Sequence, residues 1–359
     1  IIKKVDMDDF NFRVSFQTEQ DYHTHTNLAR EILSKWDDSL KIFRAMNRVR
    51  FYHDELPVFI DLSIVRSSRE KKHIAIPKYT IQEAGVFENV EKYEIEIEVD
   101  NSKVGVNTIY EDPKKLADVL RKSIRIIMCG IQNTNYPVSY KEKNDILEKY
   151  FHLFHEPTVT RKITSKDFIG PSSYTLEMEN IVDSNENNIP NIRNNYTVTD
   201  KADGDRKLLY VSENGKLYLI DTNMKVNFTG AKTSEKKLFN SLLDGEHILY
   251  DKNGKFLNMY AAFDIYYKHE ESVRELEFIN IIDETVENPE PVDKSKYRLY
   301  LLKEFVEDLK IYSILDKKNS GNEVKTSANN KPLPILITCK EFIVQSKNIS
   351  IFAGCSTIL

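Results

Sequence analysis

Thr199-Asp200-Lys201-Ala202-Asp203-Gly204-Asp205-Arg206 is the stretch on which the reading of this chain turns. The pattern predicts a strand over Tyr196–Asp200, an Asp-Gly turn, and a return strand over Lys207–Val211. It sets an amine at a strand end and follows it with a carboxylate, a glycine and a guanidinium. An amine that attacks a phosphate must be neutral, so it needs desolvation or nearby cations to lower its pKa. The same residues also describe an ordinary hairpin with exposed charges. The surroundings decide between the two.

Downstream lie two further short patterns. Asp244-Gly245-Glu246 follows the apolar pair Leu242-Leu243, and Ala261-Ala262-Phe263-Asp264-Ile265-Tyr266 is an apolar strand carrying an aromatic–Asp step. Around them the spacing predicts a turn at Ser212–Gly215 into strand Lys216–Asp221, helix Ser234–Leu243, and strands Glu246–Tyr250 and Met259–Tyr267. Helix Ser295–Tyr312 carries a stripe of Leu299, Leu302, Phe305, Val306 and Leu309, the usual sign of core packing. A Lys- and Asn-rich loop, Asp316–Lys331, and a last strand, Ile335–Val344, follow. Upstream, the polar run Asp183–Asn195 reads as a loop.

The first part of the chain has a different texture. Phe10–Phe16, Arg48–Phe51, Val58–Val65 and Tyr93–Val99 are rich in β-branched and aromatic residues with period-two alternation. In Tyr93–Val99 that alternation puts Glu94, Glu96 and Glu98 on one face and branched apolar residues on the other. Three carboxylates in a row repel, so they need a metal ion, basic partners or open water. Arg48 and Arg50 share a face of one strand, and Asp61 and Ser63 share a face of another. An exposed acidic edge and a β-tunnel holding a metal and a polyphosphate both remain open. Helices are predicted from Asp112-Pro113 to Ile131, where proline suits the first turn, and over Lys143–Phe154. A β-rich first domain and an α+β second domain thus meet between residues 130 and 160, taken as 1–150 and 151–359.

Composition narrows the class. The chain has 359 residues, 40% hydrophobic and 30% charged, which suits two soluble domains. A net charge of −5 gives no support for broad nucleic-acid binding, though a local basic pocket can still hold an RNA end. No run is apolar enough for a bilayer, so no membrane partner is expected. Cys129, Cys339 and Cys355 are widely spaced and read as reduced, buried thiols of a cytosolic protein. His23 and His25 have no third ligand at zinc spacing and read as solvated. Lys78, Lys72, Lys71 and Arg69 suit either a tunnel mouth or a solvated loop.

The three C-terminal patterns, in this order, resemble the covalent nucleotidyltransferases: mRNA guanylyltransferases and polynucleotide ligases. Lys201, Asp203, Gly204 and Arg206 match the K-x-D-G-x-R motif, Asp244-Gly245-Glu246 the acidic strand, and Phe263-Asp264 the aromatic–Asp strand. The resemblance implies that Lys201 forms a phosphoramidate with the nucleotide, that Arg206 and Glu246 hold the ribose hydroxyls, and that Phe263 stacks on the base. Asp264 would place a metal ion or cap a turn. The family's later motifs are not visible before Leu359. The first part is similar to the metal-dependent RNA triphosphatases of the tunnel fold. There Glu94, Glu96, Glu98 and Asp61 would hold Mg²⁺ or Mn²⁺, and Arg48 and Arg50 would serve the phosphate. That family's early E-x-E strand has no counterpart here and is expected upstream of Ile1.

Triphosphatase followed by guanylyltransferase is the order in the multifunctional capping enzymes of large DNA viruses, mimivirus-like ones included. The implied fold is α+β: an N-terminal antiparallel β-tunnel, then an α+β nucleotidyltransferase domain. The implied partners are GTP, the 5′-triphosphate or diphosphate RNA end, and a methyltransferase domain or subunit further downstream. The implied setting is the host cytoplasm or the virion. An ATP-dependent ligase and a non-catalytic capping scaffold are the alternatives.

Overall fold

The computed structural model describes residues 4–17, 20–183, 189–280, 292–315, 333–345 and 350–358. The chain divides into two compact units, Ile1–Asp8 with Phe12–Ile131, and Asp9–Asn11 with Gln132–Leu359.

In the first unit β1 (Val5–Met7) and β2 (Phe12–Val14) form a short antiparallel pair, and helix α1 (Asn27–Ser34) is capped by Thr26. The main sheet is β3 (Arg44–Tyr52), β4 (Val58–Ser67) and β7 (Lys92–Val99), all antiparallel, with the small pair β5 (Glu70–Lys71) and β6 (Ile74–Ala75) beside it in sequence. Its register stacks Arg50 against Asp61 and Glu96, and Arg48 against Ser63 and Glu94, so all the charges share one face. Helix α2 (Pro113–Gln132) sets Leu116, Val119 and Leu120 against Leu56, Val58 and Ile97 at one end of the other face. Among the described residues the sheet has three strands, and a closed tunnel is not among what they form.

In the second unit helix α3 (Tyr140–His152) precedes β8 (Thr197–Val198), β9 (Asp205–Val211), β10 (Lys216–Asp221), β11 (Val226–Thr233), β12 (Ser241–Tyr250), β13 (Phe256–Lys268) and β14 (Glu271–Ser272). Helix α4 (Arg298–Asp308), β15 (Ile311–Ser313), β16 (Leu336–Cys339), β17 (Ile343–Val344) and helix α5 (Ile351–Ile358) complete it. Seven strands run β14-β13-β12-β9-β10-β11-β15, and β16 pairs in parallel with β13. Both faces are covered. Leu209, Leu243 and Ile265 pack with Leu302 and Phe305 of α4, while Leu208, Tyr210 and Leu242 pack with Ile146 and Tyr150 of α3.

That double burial explains the largest departure from expectation. The predicted helix Ser234–Leu243 is a short turn followed by the start of β12. A strand buried on both faces has no polar side, so Leu242-Leu243 imitates a helical spacing. Leu242 enters one core and Leu243 the other. Asn240, with φ of 52°, breaks the chain before the strand begins. The hairpin expected at Asp203-Gly204 is also absent: β8 pairs with β17 in a separate two-stranded sheet, not with β9. Helix Ser295–Tyr312 shortens to α4, and the strand expected over Ile335–Val344 splits into β16 and β17 around Lys340. Helix α3, which fell within the range 1–150, belongs to the second unit because Ile146 and Tyr150 are part of its core. The predicted strand over Phe10–Phe16 is confined to β2. The loop Asp316–Lys331 lies outside the described residues.

Candidate functional site

Gly204 is the residue that brings the lysine loop to the sheet. A Cβ there would lie 2.5 Å from the His247 carbonyl oxygen and 3.0 Å from Glu246 Cγ, so only glycine lets the loop run against β12. Arg206, the second residue of β9, lies directly opposite Glu246, and the two share a face. Lys201 and Asp203 stand in the open just before, 88% and 93% exposed, with Lys201 Nζ 3.0 Å from Asp203 Oδ1. Asp203 first, and Glu246 more remotely, raise the Lys201 pKa. In this state the amine is a protonated ion-pair partner and a poor nucleophile.

Arg206 is held firmly. Its Nε donates to Asp244 Oδ1 at 3.1 Å and its Nη2 to Asp244 Oδ2 at 2.5 Å, while Nη1 donates to the Pro171 carbonyl. Tyr266 Oη donates to Asp244 Oδ2 at 2.7 Å. Asp244 has no exposed surface, so a bidentate guanidinium and a phenol together compensate its burial. The guanidinium also lies between two rings, 5.4 Å from Phe168 and 5.7 Å from Phe263. Phe263 reaches this face through a bulge. Ala262 pairs with Gly245 and Asp264 with Asp244, which leaves Phe263 as the extra residue.

The structure therefore brings together Asp203, Gly204, Arg206, Glu246, Phe263 and the loop of Lys201. Asp264 has another partner. Arg298 at the start of α4 grips it, Nε to Oδ1 at 2.9 Å and Nη2 to Oδ2 at 3.2 Å. Burial raises the Asp264 pKa, and the arginine opposes that rise. A carboxylate so engaged anchors a helix to the sheet.

Three residues escaped the sequence: Asp244, Phe168 and Lys340. Asp244 stood inside the quoted acidic pattern, but only its neighbour Glu246 was assigned a role. Phe168 follows the buried Asp167, which Arg161 holds and whose pKa falls to about 2 through that pair, and no sequence pattern marks it. Lys340 ends an apolar run and is followed by Glu341, and a charge pair after an apolar stretch sets nothing apart in the sequence.

A second arrangement lies on the three-stranded sheet. Arg50 donates to Asp61 through Nε at 2.7 Å and Nη2 at 2.6 Å, and to Glu98 at 2.9 Å. Arg48 reaches Ser63 at 3.1 Å, Asp61 at 3.0 Å, and Glu96, while Arg44 pairs with Glu94 at 2.6 Å. Arg50, foremost, holds the Asp61 carboxyl below its usual range. Oxygens of Asp61, Glu96 and Glu98 lie within 4.8 Å of one another, a donor set suited to a hard divalent cation. Asp61 has no exposed surface, whereas Leu62, Ile64 and Ile95 on the reverse face are 41%, 40% and 42% exposed. The central strand thus protects its polar side and leaves its apolar side open. Glu94, Glu96, Glu98, Asp61, Arg48 and Arg50 all belong to this one face.

No helix among the described residues is long and apolar enough to cross a membrane. Residues 154–347, more than half of the chain, match the family described as mRNA capping enzyme, catalytic domain. The chain is also 29% identical over 259 residues to a probable mRNA-capping enzyme of Acanthamoeba polyphaga mimivirus, covering 70% of this chain and 20% of that protein. It spans about a fifth of the length of that relative.

Proposed function

The chain belongs to the mRNA capping enzyme catalytic-domain family, and from that membership we propose that its second unit is a guanylyltransferase acting through a covalent lysyl-GMP. Lys201 Nζ, once deprotonated, attacks the α-phosphorus of GTP; an N–P bond forms, the bond to the bridging oxygen breaks, and pyrophosphate leaves. A terminal oxygen of a 5′-diphosphate RNA then attacks the same phosphorus and releases the lysine. What supports this is one conjunction: Gly204 lays the Lys201 loop against the strand of Glu246, with Arg206 and Phe263 on the same side. Phe263 offers a ring face to the base, and Glu246 offers acceptors to sugar hydroxyls. The Lys201–Asp203 contact has to yield before attack, so phosphate binding and deprotonation are linked.

The test is adduct formation in the full natural chain with α-labelled GTP and Mg²⁺ or Mn²⁺. An acid-labile protein–GMP bond that disappears in Lys201→Ala is the expected result. Label from ATP alone would make the chain a ligase. Label retained in the variant would remove Lys201 from the role.

A second activity, RNA 5′-triphosphatase, is proposed for the first unit. It is supported by the polar face of β3-β4-β7, where three carboxylates converge beside two arginines. Asp61, Glu96 and Glu98 would hold Mg²⁺ or Mn²⁺, which when bound polarises the γ-phosphate. Arg48 and Arg50 would bind the phosphate oxygens and neutralise the departing charge. Glu94 would complete the acidic row. Cap methylation would fall to a downstream methyltransferase domain or subunit, in the host cytoplasm or the virion.

A further inference from the structure

Lys340 is a largely enclosed cation that none of the motif positions includes. Its side chain is only 10% exposed, and its ammonium donates to the backbone carbonyl of Asp200 and lies 3.8 Å from Asp200 Oδ1. That carbonyl belongs to the peptide that joins Asp200 to Lys201. The backbone N–H of Lys340 donates to the Ala262 carbonyl at 2.8 Å, one residue before Phe263. One residue therefore ties the loop of the lysine to the strand of the aromatic ring. A second tether runs alongside, where Thr199 Oγ donates to the Glu341 carbonyl at 2.7 Å. The pairing of Val198 with Ile343 and Thr197 with Val344 extends it.

Simple packing does not account for this. A lysine buried as filler leaves its ammonium without compensation, and an apolar side chain of similar volume would serve better. Here the ammonium has a partner, and that partner is the peptide on which nucleophile placement depends. Gly204 fixes the far end of the loop against β12, while between it and Asp200 the side chains of Lys201 and Asp203 are almost fully exposed. Resting on the lysyl-GMP reading above, we infer that Lys340 is a positioning residue that braces the Lys201 loop against the β13 strand of Phe263. It sets the distance between the attacking amine and a stacked nucleotide. It does not itself touch the reacting atoms.

The experiment follows adduct formation in the full natural chain with α-labelled GTP over a range of GTP concentrations. Lys340→Met keeps the apolar stem of the side chain and removes the terminal ammonium. The maximal adduct rate should fall about 100-fold, the scale of a misplaced reacting group, while half-saturating GTP stays within about threefold. The thermal midpoint reports whether the fold survives. Thr199→Val removes the parallel tether at a half-buried position with a side chain of nearly the same shape, and should slow the same step about 10-fold, as the loss of one good hydrogen bond would. A Met variant with a wild-type rate overturns the brace. So does a variant in which half-saturating GTP rises in step with the loss, because the defect is then in binding. If Lys340→Met does not fold, Thr199→Val decides alone, and an unchanged rate there overturns the brace. A wild-type chain that forms no adduct ends the lysyl-GMP reading and the brace together; adduct in the wild type with unimpaired variants ends the brace alone.

Discussion

Each unit sets a bidentate arginine against a fully buried aspartate on the neighbouring strand: Arg206 with Asp244 in the second, Arg50 with Asp61 in the first. The contexts are opposite. Asp244 lies between cores covered by helices on both sides, and its charge is balanced by one guanidinium and one phenol. Asp61 lies on a sheet whose polar face carries four carboxylates (Asp61, Glu94, Glu96, Glu98) against three arginines (Arg44, Arg48, Arg50), with Lys92 at the end of the row paired to Glu70. A pair enclosed by a core fixes geometry, whereas carboxylates that converge on a partly open face have capacity for a cation. The same pair chemistry can thus serve as scaffold in one place and as a ligand set in another.

The sharpest way to break this contrast is Glu96→Ala in the full natural chain. Release of γ-phosphate from triphosphate RNA should cease, and GMP attachment to Lys201 should continue near the wild-type level. Phosphate release at the wild-type rate would reduce β7 to a solvated acidic strand. Next in size is Asp244→Asn, which leaves the partly exposed Arg206 without its buried counter-charge. Removing one partner of a buried ion pair costs about 3–5 kcal/mol, so a clear loss in denaturant midpoint is expected. A shift no larger than that of a surface variant would mean that Asp244 is not the hub of its site. Smaller again is Phe263→Ala, which should weaken GTP binding by roughly 1–3 kcal/mol, the worth of one aromatic stacking platform. Unchanged affinity would return Phe263 to the core.

The smallest effect concerns pH. His247 sits behind the site, its Nδ1 2.8 Å from Lys207 Nζ and its Nε2 2.8 Å from Asn258 Oδ1. Burial first, then the Lys207 charge, lowers its pKa, while the Asn258 contact and Asp205 oppose the fall. A depressed base is neutral in the folded chain and binds its proton more readily once unfolded. The stability it contributes is therefore complete above the unfolded value of about 6.5, and declines as pH falls through the folded one. Thermal unfolding between about pH 7.5 and 5.5 should show a downward slope that His247→Gln flattens; equal slopes in both proteins would sink the assignment.

Both units were legible in part, through different signals. Short motifs carry their own geometry: Lys201, Gly204, Arg206, Glu246 and Phe263 could be picked out because glycine, charge and ring each have a local reason for their place. Alternation showed equally well that Glu94, Glu96 and Glu98 share a face, since period two is a property of one strand. What stayed hidden depends on partners far along the chain. Leu242 and Leu243 looked helical because nothing nearby announces that both sides of their strand are buried. The Asp203-Gly204 hairpin was plausible by local rules, and failed because β8 takes β17 as its partner. Asp264 gained Arg298, and Lys340 gained Asp200, through contacts that no window of neighbouring residues contains.

That last contact has a consequence in time. Lys340 and Asp200 are 140 residues apart in the chain, and β16 must lie in parallel beside β13 before they meet. Closing so long a loop adds only modestly to the entropy of folding, but contacts of high sequence separation form slowly. During synthesis Lys201 emerges well before the segment that steadies it, so a nascent chain ending short of β16 presents the amine on an unbraced loop. On the lysyl-GMP proposal, the order of translation would then withhold an aligned Lys201 until the sheet around it is finished.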